Sequence, residues 1–134
     1  MRISRRSPAR LYLYSVDIRQ RVNKARQIQL KRLAPFGLHA NSQMQVRHIR
    51  KFCKLDEKGD ALLEQVTDKR GLSARSFTRI LKLARTIADL AGVEQIEFLH
   101  LSEAIQYRGQ DRKLGQLAGK NIAVQAFLLM FGFI

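Results

Sequence analysis

The stretch from Ser73 to Gly92 constrains this chain more than any other. Within it Phe77, Ile80, Leu81, Ala84, Ile87, Ala88 and Ala91 recur at steps of three and four. That spacing puts them on one face of an α-helix. Ser73 is suited to cap the helix start, and Gly92 to close it at the C′ position. A helix with one apolar face has to bury it against other elements. Those elements are visible along the chain. Ile18, Val22, Ala25, Gln29 and Leu33 mark a first helical face. Its start is expected at Ser15, with Asp17 in the first turn, and its end at Pro35 and Gly37. Asn41 or Ser42 is expected to open a second helix with Val46, Ile49, Phe52 and Cys53 inward. Asp56 caps a third, with Leu62, Leu63 and Val66 inward, and Gly71 stops it. A fifth covers Glu97 to Arg108, with Leu101, Ala104 and Ile105 inward. Strand-like alternation is missing, and Val93–Phe98 reads at most as a short extended link. The expected fold is all-α, a small helical bundle of five helices.

A length of 134 residues and a hydrophobic fraction of 46% fit one small globular domain. The net charge of +14 is unevenly spread. Residues 1–54 carry 14 Lys and Arg against the single acid Asp17, residues 55–113 carry ten of each sign, and residues 114–134 add only Lys120. The chain therefore divides into a basic arm over 1–14, a helical domain over 15–113 and an apolar tail over 114–134. Two readings of the tail stay open. One is an extension past a truncation or frameshift, the other an added helix packing on the bundle. Arg2, Arg5, Arg6 and Arg10 precede only the short apolar patch Leu11–Tyr14, too brief for the roughly 7–15 apolar residues of a signal peptide. No run reaches the about 20 apolar residues that span a membrane. The lone Cys53 excludes an internal disulfide and fits a reducing, cytoplasmic setting.

Most catalytic signatures are missing. Gly115-Gln-Leu-Ala-Gly119-Lys120-Asn121 is one residue short of a phosphate loop. It also has Asn121 where a hydroxyl would meet magnesium. Cys53, His39, His48 and His100 are not spaced as zinc ligands, so no metal site is expected. Asp56, Glu57 and Asp60 cluster at a helix start, where the dipole alone favours acids.

Arg75 is the informative residue. With Ser73 as the cap it lies at the second helical position, where a cation opposes the helix dipole. A bound phosphate, shared between the guanidinium and the first amides, removes that opposition. Plain solvation of Arg75 explains the position equally well. Arg79 lies one turn on, on the same face.

The string Leu72-Ser73-Ala74-Arg75, then Arg79-Ile80-Leu81, then Leu83 through Leu90 resembles the C-terminal domain of the magnesium chelatase-like AAA+ ATPases. This subgroup is linked to competence and DNA branch migration. Ile96, His100-Leu101, Glu103-Ala104, Tyr107-Arg108 and Asp111-Arg112 extend the resemblance. Upstream, Val22, Ala25-Arg26, Gln29, Arg32, Asn41, Cys53 and Leu55-Asp56 do the same. The resemblance implies a lid domain beside the nucleotide, with Arg75 at the sensor-2 position and Arg79 as a secondary phosphate contact. ATP with magnesium would then belong to the full-length ATPase, not to this chain alone. The implied partners are the AAA+ core domain and neighbouring subunits of a hexamer. Without a phosphate loop, the isolated chain is expected not to hydrolyse ATP.

The basic first part raises an alternative, a stand-alone DNA-binding helical domain that uses Arg19, Lys24, Arg26 and Lys31. Such binding would be independent of base sequence. These cations encircle much of their helix, which is also how a solvated surface reads. A third reading, a membrane-associated peptide, rests on the apolar tail, which is too short to span.

Overall fold

The computed structural model describes residues 8–109. It contains five α-helices and, among the described residues, no strand. In order they are α1 (Pro8–Leu33), α2 (Val46–Phe52), α3 (Glu57–Arg70), α4 (Ala74–Leu90) and α5 (Phe98–Gly109), with short 3-10 turns at Ala34–Phe36 and Asn41–Gln43. The all-α bundle expected from the sequence is the fold observed. The expectations for the tail over 114–134, and for residues 1–7 of the basic arm, lie outside the described residues.

The helix α4 is the axis of the bundle, packing against α5, α1 and α2. Ile80, Leu81, Ala84, Ile87 and Ala88 are buried along it. Leu33 of α1 and Leu101, Ala104 and Tyr107 of α5 belong to the same core cluster, and Ile18, Val22 and Ala25 of α1 are buried as well. The expected inward face of α1 is therefore the observed one, Gln29 included. At the α3–α5 contact the place of Gly59 is tight. A Cβ there would lie 3.1 Å from Asp56 Oδ1 and 3.2 Å from Leu55 Cβ.

Helix ends follow local chemistry. Asp56 Oδ1 accepts from the Gly59 amide at 2.7 Å, and Ser73 Oγ accepts from the Ser76 amide at 3.2 Å. Gly37, Gly71 and Gly92 adopt positive φ, the left-handed turn that a side chain resists. At α2 and α5 a histidine does the capping. His48 Nδ1 accepts from the Gln45 amide and His100 Nδ1 from the Glu97 amide, both at 3.0 Å.

Several expectations are corrected. The first helix starts at Pro8 rather than at Ser15, since a proline fits a first turn that needs no amide donor. Asn41 does not open a helix. It sits in a 3-10 turn with its side chain buried, and α2 begins at Val46. Val46 and Phe77, expected inward, are 55% and 38% exposed, and Ala91 is exposed as well. Each lies at the edge of its stripe, at or near a helix end, where the neighbouring helices no longer cover it.

The caps give a direct test. Asp56→Ala should lower unfolding free energy by about 1 kcal/mol in urea titrations, leaving the helical circular dichroism of the folded state unchanged.

Candidate functional site

Three charged features occupy different parts of the bundle. The first is the start of α4. Arg75 and Arg79 are both exposed, one turn apart on the same face. Neither makes a side-chain hydrogen bond or ion pair among the described residues. Ser73 satisfies the Ser76 amide, so the amides of Ala74 and Arg75 are the ones the helix leaves to solvent. A phosphate placed there would meet backbone donors and a planar guanidinium together.

The second feature is buried. The Asp89 carboxylate has no solvent exposure and is held from two sides. Arg32 donates to both its oxygens, at 2.7 and 2.9 Å, a bidentate pair between α1 and α4. Arg85 Nε donates to Asp89 Oδ1 at 3.2 Å. The remaining donors of Arg85 go to three carbonyls, Phe52 at 3.3 Å, Glu94 at 2.8 Å and Val93 at 3.0 Å. Asn41 Nδ2 donates to Asp89 Oδ2 at 2.9 Å and to Thr86 Oγ1 at 3.2 Å. The Asn41 amide in turn donates to Gln29 Oε1 at 3.0 Å. Burial pulls the Arg85 guanidinium below the usual arginine range, and Asp89 opposes that pull. The pairing of Arg85 with Asp89 follows the i,i+4 spacing. Both residues are almost wholly inside. Arg85 is thus a structural residue.

The third feature is a cleft of about 610 Å³ between α1, the end of α2 and the α4–α5 link. Lys31 and Arg32 line it from α1, and Lys51 and Lys54 from the α2 end. Asp56 and Glu94 also border it, over an apolar floor that includes Ile28, Leu55 and Ile96.

The α1 cations do not form one stripe. Arg19, Lys24, Arg26 and Lys31 are all exposed. At about 100° per residue, Arg19 and Arg26 share one side, while Lys24 and Lys31 share another. Of the four, only Lys31 reaches the cleft. Arg75 is remote from it, since ten helical residues separate Arg75 from Arg85, about 15 Å along α4.

Cys53 is buried, and desolvation pushes its thiol up to about 12, against the pull of Arg85 and Arg32. Among the described residues no cluster of three or more His, Cys, Asp or Glu could hold a metal ion. None of the described helices is long and apolar enough to cross a membrane.

Residues 13–108 match the family model described as magnesium chelatase, subunit ChlI C-terminal. The chain belongs to that family. Competence protein ComM of Haemophilus influenzae is 42% identical over 104 residues, covering 78% of this chain and 20% of that protein. The uncharacterized protein YifB of Escherichia coli K12 is 41% identical over 100 residues, covering 75% of this chain and 19% of that protein. The YifB protein of Salmonella typhimurium is 38% identical over 100 residues. This magnesium chelatase C-terminal domain thus spans about a fifth of the length of the curated relatives it matches. No solved structure matches it.

Sequence reasoning missed the roles of Arg32, Asn41 and Thr86 in the buried network. A signal was present on α4. Arg85 and Asp89 continue the face of Leu81, and so fall inside the apolar stripe rather than outside it. A charged pair placed there is a buried pair.

Asp89→Ala should cost about 3–5 kcal/mol of unfolding free energy, because it leaves two guanidinium groups inside without their anion. Asp89→Asn should be milder, since its amide oxygen still accepts from one arginine. Thermal denaturation of both variants checks the order.

The Cys53 thiol should alkylate far more slowly in the folded domain than in urea at pH 8.5. The unfolded thiol titrates near about 8.5, and the folded one near about 12. The neutral thiol therefore favours the folded state below about pH 8.5, and this contribution declines as pH rises toward about 12. Iodoacetamide labelling followed by mass spectrometry measures the two rates.

Proposed function

We propose that this chain acts as the lid domain of a magnesium chelatase-like AAA+ ATPase, with Arg75 contacting nucleotide phosphate. The observation that carries the reading is local. Arg75 stands exposed and without a carboxylate partner among the described residues, at the second position of a helix capped by Ser73. There its charge opposes the dipole by about 0.3–1 kcal/mol, a cost that a phosphate reverses. Arg79, one turn on, is placed as a secondary contact. The donors at this end of α4 fit a phosphate group, and the magnesium ligands would come from the core domain. Bound ATP with its magnesium would supply the scissile phosphate. The task of Arg75 is to neutralise charge on that phosphate and couple it to the angle of α4. In this reading the partners are the core domain and neighbouring subunits of a hexamer. The isolated chain is not an active ATPase, and the setting is cytoplasmic.

A second reading has one observation in its favour. Arg19, Lys24, Arg26 and Lys31 are all exposed on α1, where Asp17 is the one acid. That surface supports salt-sensitive association with DNA phosphates without choice of base sequence.

The test of the first reading joins this domain to the ATPase core of a relative. Arg75→Ala should lower turnover at least about tenfold, a loss of about 1.4 kcal/mol of transition-state stabilisation. Arg75→Lys should recover only part of it, keeping charge but losing the planar fork. Arg21→Ala, at an exposed pair with Asp17, should leave turnover unchanged. Normal turnover by Arg75→Ala would refute the assignment.

A further inference from the structure

The cleft at the far end of α4 has a charge pattern that the reading of Arg75 does not use. Lys31 and Lys54 make no ion pair or hydrogen bond among the described residues. The Lys51 ammonium lies over the rings of Phe36 and Phe52, at 5.2 and 5.5 Å from their centroids. Those ring contacts hold the cation at the cleft without neutralising it. Arg32 and Arg85 also line the cleft and share the single carboxylate of Asp89. Two acids stand at the same opening and weigh against an anion. The Asp56 carboxylate is engaged at the start of α3, where Oδ1 accepts from Gly59. Glu94 is exposed and is the one acid at the rim without such an engagement. Three lysines against these two acids leave the opening positive.

The floor is of another kind. Ile28 is 39% exposed and Leu55 is half-buried, and together they give the cleft an apolar base, with Ile96 buried beneath at 3% exposure. A bare inorganic anion would use the rim and leave this floor wet. A ligand that carries phosphate on a flat, largely apolar body would cover both. That is the chemistry of a nucleotide, and about 610 Å³ accommodates one.

We propose that this cleft is a second phosphate site, remote from Arg75, that binds a nucleotide with its phosphate on Lys31, Lys51 and Lys54 and its base over Ile28 and Leu55. The nucleotide is either free or part of a single strand, which presents phosphate and unstacked base in the same way. The proposal does not depend on Arg75.

The experiment uses the full chain and three probes: inorganic phosphate, AMP and an oligothymidylate. Binding is followed by calorimetry and by the methyl NMR signals of Ile28, Leu55 and Ile96. Saturable binding of AMP or of the oligothymidylate is expected, with shifts at those methyls. The combined Lys31→Gln, Lys51→Gln and Lys54→Gln variant should weaken it at least about tenfold. All three lysines are at the surface, and circular dichroism checks that this variant folds. Arg21→Ala, at an exposed pair with Asp17, should change binding less than about twofold. Saturation by AMP identifies the free nucleotide as the source, and saturation by the oligothymidylate alone identifies the strand. The proposal is overturned if neither probe saturates, if the methyl signals stay in place, or if the triple variant binds normally. It is equally overturned if inorganic phosphate binds as tightly as AMP, or if Arg21→Ala weakens binding as much as the lysine changes do. A silent Arg75→Ala in the ATPase assay would leave it standing.

Discussion

A single buried carboxylate organises this domain. Asp89 has no contact with solvent, and a lone charge in that position would cost several kcal/mol. It is tolerated because Arg32, Arg85 and Asn41 surround it. These three come from α1, from α4 itself and from the turn before α2. Apolar stripes bring helices together but leave their rotation and axial register loosely set. The forked bond from Arg32 sets both for α1 against α4, because it forms at one rotation and one height. Asn41 then fixes the path of the chain between α1 and α2, with Gln29 and Thr86 taking up its remaining polar groups.

Arg85 extends the same network to elements with little regular bonding of their own. The carbonyl of Phe52 lies at the end of α2, and those of Val93 and Glu94 lie in the link between α4 and α5. Helix ends and links leave such carbonyls without backbone donors. One guanidinium supplies all three, so a seven-residue helix and a short link stay in place despite their modest apolar contact. The histidine caps at α2 and α5 perform the matching task for the amides at the other ends.

The helices were legible in the sequence because their signals are local. A stripe such as Ile18, Val22, Ala25, Gln29 and Leu33 needs only the helical period, and Ser73, Asp56, Gly71 and Gly92 act within one turn of themselves. What was not legible depends on partners distant along the chain. Asn41 has the residue type of a helix cap, yet it pairs with Asp89, 48 residues on. Arg32 reads as one more cation on a basic helix until α4 supplies the carboxylate. Phe77 fits its stripe by period, but whether a position is covered depends on where the next helix ends. The exposed place of Arg75 in the first turn of α4 was legible for the opposite reason, since the cap and the arginine lie two residues apart.

The reach of Arg85 also has a mechanical side. A helix of 17 residues is about 25 Å long. Arg75 sits at one end of α4, and the clamp on α1, the α2 terminus and the entry to α5 sits toward the other. Such a rod cannot pivot alone. A tilt imposed at its arginine-bearing tip must swing the clamped elements with it. At about 15–21 Å from Arg75, where Arg85 and Asp89 lie, each ten degrees of rotation moves them by about 3–4 Å. Any rotation of α4 about its Arg75 end is thereby carried to α1, the end of α2 and the entry to α5 together.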